Sequence, residues 1–300
     1  MLNNQPKKLK KFLVVDCSSV IYRIYFITSK NTEKVMRLND NLWTNVIYGF
    51  IRFLIHIIKK ERFDYICCAF DYSRKTFRTD YFPNYKVQRP KTPEHIIYQI
   101  KIIQDFLKLA GVPFLSIENY EADDIIGTIV EKFKSDANIY IYSSDHDLLQ
   151  LVNNQNNIIF CNIQKGMVKP LNITKENFNQ EVKIPMKYFL DYKILNGDQS
   201  DNLRGIPSWG IKTILNYLIK FNGLENLLNN IDKIPSPKHR NSLKDHLDQI
   251  ELYKKIIPIY KRLDINPNIN AYSINRYYKN IRSDKVIDFY KKYKLRTFYA

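Results

Sequence analysis

Three short apolar runs, each followed at once or within a few residues by an aspartate, constrain this chain more than any other feature. They are Phe12 to Val15 before Asp16, Tyr65 to Phe70 before Asp71, and Asn138 to Tyr142 shortly before Asp145. Runs this short and this apolar suit strands buried on both faces. Helical periodicity fills the intervals. Trp43, Val46, Ile47, Phe50, Ile51, Leu54, Ile55 and Ile58 recur at helical spacing and predict an amphipathic helix over 42–60. Thr92-Pro93 predicts the start of another, with Thr92 as N-cap and Gly111 as its stop. Pro113 to Ser116 reads as a short strand, 121–133 as a helix and Ile158 to Val168 as a hairpin. Strands alternating with helices predict an α/β fold with a mostly parallel central sheet flanked by helices. After Pro185 the pattern is helical to the C-terminus, with breaks at 197–207, Gly223 and 235–237. No internal repeat is visible, and the one biased stretch is the Asn-rich loop at 153–157.

The 300 residues are enough for one large domain or two small ones. At 45% hydrophobic and 14% aromatic the chain is not built for disorder. The best apolar stretch, Val46 to Ile58, is too short to span a bilayer and carries Arg52 and His56. Asp16 interrupts the apolar run that follows the basic N-terminus, so no signal peptide is expected. The four cysteines, Cys17, Cys67, Cys68 and Cys161, lack zinc-like spacing and read as reduced core thiols of a cytosolic protein. Lys and Arg number 47 against 30 Asp and Glu, a formal charge of +17. Such an excess favours a polyanionic partner. It is also diffuse, and a composition rich in Asn, Ile, Lys and Tyr with only 8 Gly is one that A+T-rich coding sequence tends to produce.

Against that basic background stand nine acids in five segments: Asp16, Asp71, Glu121 with Asp123 and Asp124, Asp145 with Asp147, and Asp198 with Asp201. Ligands of open parallel α/β sheets bind beyond the carboxyl ends of the strands. Three of these aspartates follow strands closely, so one sheet edge would gather them. Singly, each is readable as a cap or turn residue, and Glu121 to Asp124 as complements to a helix dipole. Together they would repel one another strongly unless cations neutralise them. Oxygen donors without paired His or Cys suit Mg²⁺ or Mn²⁺ rather than zinc. Two such ions about 4 Å apart clamp a phosphodiester for in-line attack by water.

The segment 72–91 carries six cations (Arg74, Lys75, Arg78, Lys86, Arg89, Lys91) against one acid, Asp80, with Tyr72, Phe77, Tyr81, Phe82 and Tyr85 interleaved. Cations hold phosphates and aromatic faces stack unpaired bases, the chemistry of a single-strand channel; a basic surface loop is the plainer reading. Gly205-Ile-Pro-Ser-Trp-Gly210-Ile-Lys212-Thr213 precedes an amphipathic helix at 214–221. Glycines near a helix start let backbone N–H groups approach a phosphate, although a simple connector would look similar.

The ordered set Val-Val-Asp16-Cys-Ser-Ser, Ala-Phe-Asp71, Tyr-Glu121-Ala-Asp-Asp124, Ser-Asp145-His-Asp147-Leu and Gly-Asp198-Gln-Ser-Asp201-Asn resembles the 5′-nuclease or flap endonuclease family. Within it, the chain is most similar to the N-terminal 5′→3′ exonuclease domain of bacterial DNA polymerase I, over nearly its whole length. The resemblance implies a PIN-like nuclease core at 1–182 and a helical DNA-binding region at 183–300. It implies a helical arch at about 72–91 and a helix–hairpin–helix at about 197–221. Asp16, Asp71, Glu121, Asp123 and Asp124 would serve a first metal ion, and Asp145, Asp147, Asp198 and Asp201 a second. Lys86 and Arg89 would stabilise charge on the scissile phosphate. Arg23, Arg78, Tyr85, Gly205, Gly210, Lys212 and Thr213 would contact DNA, with K⁺ held at the hairpin. The implied activity is two-metal hydrolysis of double-stranded or flapped DNA in replication and repair, by a cytoplasmic monomer beside a separate polymerase, since the chain ends where an exonuclease domain would end. A non-catalytic DNA-junction binder of the same fold and a small ribonuclease are the alternatives. The intact acids count against the first and the helical half against the second. Cys17, His146, Ser208 and Trp209 depart from the family's usual Gly, Lys, Gly and small aliphatic residue.

Overall fold

The computed structural model describes residues 9–30, 35–39, 42–152 and 157–299. The basic N-terminal octet and all but Asn157 of the Asn-rich stretch lie outside these. Strand β1 (Lys10–Asp16) leads into helix α1 (Cys17–Thr28), and a small hairpin, β2 (Arg37–Asn39) with β3 (Leu42–Trp43), precedes α2 (Asn45–Lys60). Next come β4 (Tyr65–Ala69), the short α3 (Phe77–Tyr81), α4 (Glu94–Ala110), β5 (Phe114–Leu115), α5 (Ala122–Phe133), β6 (Ala137–Ser143), β7 (Ile158–Asn162) and β8 (Leu171–Ile173). The rest is helical: α6 (Phe178–Val182), α7 (Phe189–Asn196), α8 (Ile211–Phe221), α9 (Leu224–Asn229), α10 (Pro237–Lys244), α11 (Leu247–Ile256), α12 (Asn275–Asn280) and α13 (Asp284–Lys292).

The main sheet runs β5-β4-β1-β6-β7-β8, parallel throughout except for β8. Strand β1 is central, and its side chains alternate between two cores. Phe12 and Val14 face α5 and the helical half, whereas Leu13 and Val15 face α1 and α2. Burial on both faces is why its sequence is continuously apolar. All four cysteines are free and buried. The chain moves outward from β1 to β4 and β5, then returns to the other side of β1 to place β6. That reversal leaves a crevice beyond the carboxyl ends of β1 and β6.

Three local expectations are corrected. The helix expected from 42 begins at Asn45, because Trp43 pairs with Arg37 in the small hairpin. Pro93, not Thr92, caps α4, and the Thr92 hydroxyl bonds the Tyr22 hydroxyl at 2.5 Å. The hairpin expected over 158–168 is displaced. Strand β7 runs parallel to β6, and its antiparallel partner is 171–173. Asn162 ends β7 by accepting the Gln164 N–H at 3.0 Å, which turns 163–165 into a helical turn.

The helical half is not detached. Buried residues of α7, α8, α10 and α11 join the same core as Phe12 and the α5 isoleucines. At the far edge α13 packs back on α4, with the Phe106 and Phe289 rings 5.5 Å apart.

Candidate active site at the carboxyl ends of the strands

Each acid is set by the backbone element beneath it. Asp16 closes β1 and caps α1, accepting the Ser19 N–H at 3.0 Å and the Ser143 hydroxyl of β6 at 2.6 Å. Asp71 follows β4 and accepts the Ala122 N–H at 2.8 Å, tying that strand to the start of α5. Glu121 is the N-cap of α5, so Asp123 and Asp124 fall in its first turn. Asp145 caps the helical turn 146–151 and accepts the Asp147 N–H at 2.9 Å. Asp198 caps the turn 199–201 through the Ser200 N–H at 2.8 Å. An acid after a strand is thus a cap here as well as a site residue.

These elements bring Asp16, Asp71, Glu121, Asp123, Asp145, Asp147 and Asp198 around one cleft of about 400 Å³, with Lys86 and Arg89 on its wall. The crowding is costly. Burial, then the charges of Asp71 and Asp145, push the Asp16 carboxyl up to about 7 against the bonds from Ser143 and Ser19. Burial, then Asp145, Asp16 and Glu121, push Asp123 well up. Burial pushes Asp147 up to about 6 even though Lys193 opposes it. The donor set is all oxygen and its members disfavour one another's charge, which fits a hard divalent cation. Among the described residues no three ligating side chains yet converge on one point. Protein cations hold the carboxylates instead. Lys193 bridges Asp147 at 2.6 Å and Asp198 at 2.7 Å; burial pushes the Asp198 carboxyl up, but Lys193 together with the Ser200 hydrogen bonds leaves it lowered. The sequence reading missed Lys193. Its one signal was a lone cation within the apolar run of α7, five residues before Asp198.

Behind the cleft lies a second network. Arg78 is 3% exposed and donates both terminal nitrogens to Asp124, at 2.7 and 2.8 Å, while its Nε donates to the Ile256 carbonyl at 2.8 Å. Asp124 is fully buried and also accepts the N–H groups of Glu121 and Tyr260. Three expectations are corrected here. Asp124 does not line the cleft, its oxygens being taken by a guanidinium and two amides. Arg78 is sealed inside rather than offered to DNA, because the residue that faces Asp124 must carry the opposite charge. Tyr85 is likewise a buried strut rather than a stacking platform, donating its hydroxyl to Asp201 at 2.9 Å. Asp201 is 5% exposed, paired with Arg89, and lines a small adjoining cavity with Glu121, Asp123, Asp145, Asp147 and Asp198.

Lys86 reaches Glu121 at 2.7 Å. Burial works against its charge, but Glu121, with Tyr85 and Asp201, outweighs it and leaves the ammonium's pKa raised. Its backbone has φ of 54°, a left-handed conformation uncommon outside glycine and found where a side chain must be aimed. Arg23 is half-buried and donates to the Gln164 carbonyl at 2.8 Å, beside the cleft.

Two family models match nearly the whole chain. The 5′-3′ exonuclease N-terminal resolvase-like domain matches residues 11–183, and the 5′-3′ exonuclease C-terminal SAM fold matches 184–280. The chain belongs to the 5′-3′ exonuclease family. A 5′-3′ exonuclease of Aquifex aeolicus is 37% identical over 270 residues, 89% of this chain and 88% of that protein. The DNA polymerase I of Bacillus caldotenax is 30% identical over 290 residues, 96% of this chain but 32% of the polymerase. The fold is that of the T5 D15 protein co-crystallised with metal ions, at a TM-score of 0.66 and 17% identity over 93% of this chain and 99% of that one. The chain is accordingly a nuclease, a hydrolase of phosphodiester bonds.

In this exonuclease the segment 72–91 is a strap rather than a helical arch. Only α3, five residues long, is helical. The rest is turns laid on the acidic turn 199–202. The Lys86 N–H donates to the Asp201 carbonyl at 3.1 Å, and Asn202 donates to the Asn84 carbonyl at 2.9 Å. Arg74 closes the strap on itself through the Arg89 and Pro90 carbonyls. The expected hairpin lies between α7 and α8, and its two glycines differ. A Cβ on Gly205 would come within 2.3 Å of the Asn196 carbonyl, so that glycine is required by packing. At Gly210, the N-cap of α8, a Cβ would meet nothing within 4 Å. There the open space, the uncapped amides of α8 and exposed Lys212 suit an incoming phosphate. Thr213 is half-buried behind them.

Proposed function

We propose that this exonuclease cuts the 5′ strand of duplex or flapped DNA, without reading sequence, at the carboxylate cleft and with Mg²⁺ or Mn²⁺. One observation carries the reading: a cleft walled by mutually repelling carboxylates, its His146 imidazole already engaged by Asn162, with Lys86 and Arg89 facing them. Asp16, Asp71, Glu121 and Asp123 would hold one ion, and Asp145, Asp147 and Asp198 a second once Lys193 yields the last two. Bound there, divalent cations supply charge neutralisation for phosphodiester hydrolysis. Lys86 and Arg89 exchange their carboxylate partners for the scissile phosphate and stabilise its charge as the new bond forms. Asp201 positions these cations, and Asp124 holds Arg78 and the start of α5, rather than binding metal. Arg78 and Tyr85 act with them.

Residues 1–182 then form the nuclease core, and 183–300 the region that holds duplex. Arg23 contacts phosphate at the cleft rim. Gly205 shapes the hairpin, and Gly210, Lys212 and Thr213 take the duplex backbone, with K⁺ as a further ligand of that turn. The uniformly reduced cysteines suit a cytosolic enzyme of DNA replication and repair, working as a monomer beside a polymerase. Among the described residues no helix is long and apolar enough to cross a membrane. The test is cleavage of a 5′-labelled flap duplex in Mg²⁺, in EDTA, and with Asp145→Ala. The reading expects cleavage in the first alone. Tight binding with no cleavage in Mg²⁺ would instead make the chain a junction binder, and cleavage of RNA hairpins but not DNA flaps would make it a ribonuclease.

A further inference from the structure

The turn that leads into α8 carries two residues a tight turn would not select. Ser208 has φ of 67°, the left-handed region in which a side chain crowds the following carbonyl. Such a conformation persists where the surroundings over-determine it. Trp209 supplies that determination. It is 6% exposed, with its ring 5.0 Å from Tyr217 of α8 and 6.0 Å from His239 of α10. The Tyr217 hydroxyl and His239 Nδ1 share a hydrogen bond of 2.9 Å. On the other side of the strained residue, the Ser242 hydroxyl of α10 donates to the Pro207 carbonyl at 2.7 Å. Helix α10 therefore grips the turn on both sides of Ser208.

The indole has no polar task to explain its place, since its buried Nε1 meets no hydrogen-bond partner among the described residues. What it does is mechanical. It turns inward, while Ser208, Gly210, Ile211 and Lys212 of the same turn remain exposed. Burying one large flat side chain thus fixes the direction in which the outer amides and Lys212 point.

We propose that Trp209 is a positioning residue for duplex DNA, holding the hairpin at the registry its phosphate contacts need by coupling it through Tyr217 and His239 to α10. The inference rests on the nuclease reading above and adds to it the element that sets the grip. A residue acting this way changes how the enzyme holds a duplex arm rather than the carboxylates of the cleft.

The experiment measures steady-state cleavage of flap substrates with a long and a short duplex arm, in Mg²⁺, for the unmodified chain and for Trp209→Leu. In the unmodified enzyme, shortening the arm should raise KM. In Trp209→Leu the long-arm KM should rise about tenfold, with kcat within about twofold, and the dependence on arm length should vanish. Ser208→Gly added to Trp209→Leu should restore part of the lost affinity, because glycine adopts the left-handed turn without a brace. Ser242→Ala, at a half-buried position, should shift KM in the same direction by about threefold and carries the test if Trp209→Leu loses cooperative unfolding. A Trp209→Leu enzyme that keeps the arm-length dependence, or loses kcat at unchanged KM, overturns the inference and leaves the nuclease reading standing. No Mg²⁺-dependent cleavage by the unmodified chain removes that reading and the inference with it.

Discussion

The two walls of the cleft are built in different ways. The acidic wall hangs from strand ends and helix starts, and four of its carboxylates accept backbone amides: Ser19 for Asp16, Ala122 for Asp71, Asp147 for Asp145, Ser200 for Asp198, while Lys193 holds Asp147. The basic wall is a strap of turns, and its charges are fixed by the acids themselves, Lys86 by Glu121 and Arg89 by Asp201. The first is an architecture that would survive without its charges. The second is positioned by charge, so its geometry depends on what neutralises the acids. An acid can be removed with the frame intact, whereas removing a cation disturbs both function and placement.

The largest expected effect is on the acidic wall. Asp145→Ala should lower flap cleavage by about a thousandfold, equivalent to about 4 kcal/mol of lost stabilisation, with the urea unfolding midpoint little changed. A loss below tenfold would show that the wall is scaffold only. The buried anchor of the strap should respond in the opposite sense. Arg78→Ala strands Asp124, which is fully buried, and should destabilise the fold by about 3–5 kcal/mol in urea unfolding. A change within 1 kcal/mol would mean Asp124 finds water or a proton. Between these lies Lys86→Ala, expected to lower kcat about a hundredfold while stability falls by about 1–3 kcal/mol, less than for Arg78→Ala because the Lys86–Glu121 pair is only partly buried. Equal loss of stability in Lys86→Ala and Arg78→Ala would erase the distinction between strut and catalytic cation.

The smallest effect is one of pH. Burial and neighbouring acids raise the Asp16 carboxyl from 3.8 to about 7 and Asp147 from 3.8 to about 6. The folded chain therefore binds more protons than the unfolded one between those values, and stability falls as pH rises through that window. In EDTA the melting temperature should be higher at pH 5 than at pH 7.5, and Mg²⁺ should flatten the difference. A rise in melting temperature from pH 5 to 7.5 in EDTA would reverse the sign of the repulsion.

The same contrast explains what could be read from the chain alone. The sheet and its acids were legible because a strand buried on both faces must be apolar, and the polar residue that ends it is visible at once. Asp16, Asp71 and Asp145 carry that signal in their own segments. The partners of Arg78 were not legible, because Asp124 and the Ile256 carbonyl lie 46 and 178 residues away. Nothing local distinguishes Arg78, buried as a strut, from Arg89 on the cleft wall. Lys193 was hidden for the same reason, as its charge is intelligible only once α7 faces Asp147. The displaced β8 was lost to the Asn162 cap, a side chain that also belongs in a hairpin turn.

If the acidic wall is an ion site and not a repulsion the fold merely tolerates, divalent ions should stabilise the fold. The most direct test is the melting temperature of the unmodified protein and of Asp145→Ala at pH 7.5, titrated with MgCl₂ against an EDTA baseline. A saturable rise is expected in the unmodified protein and a much weaker one in the variant. Equal rises in both, or none in either, would contradict the ion site.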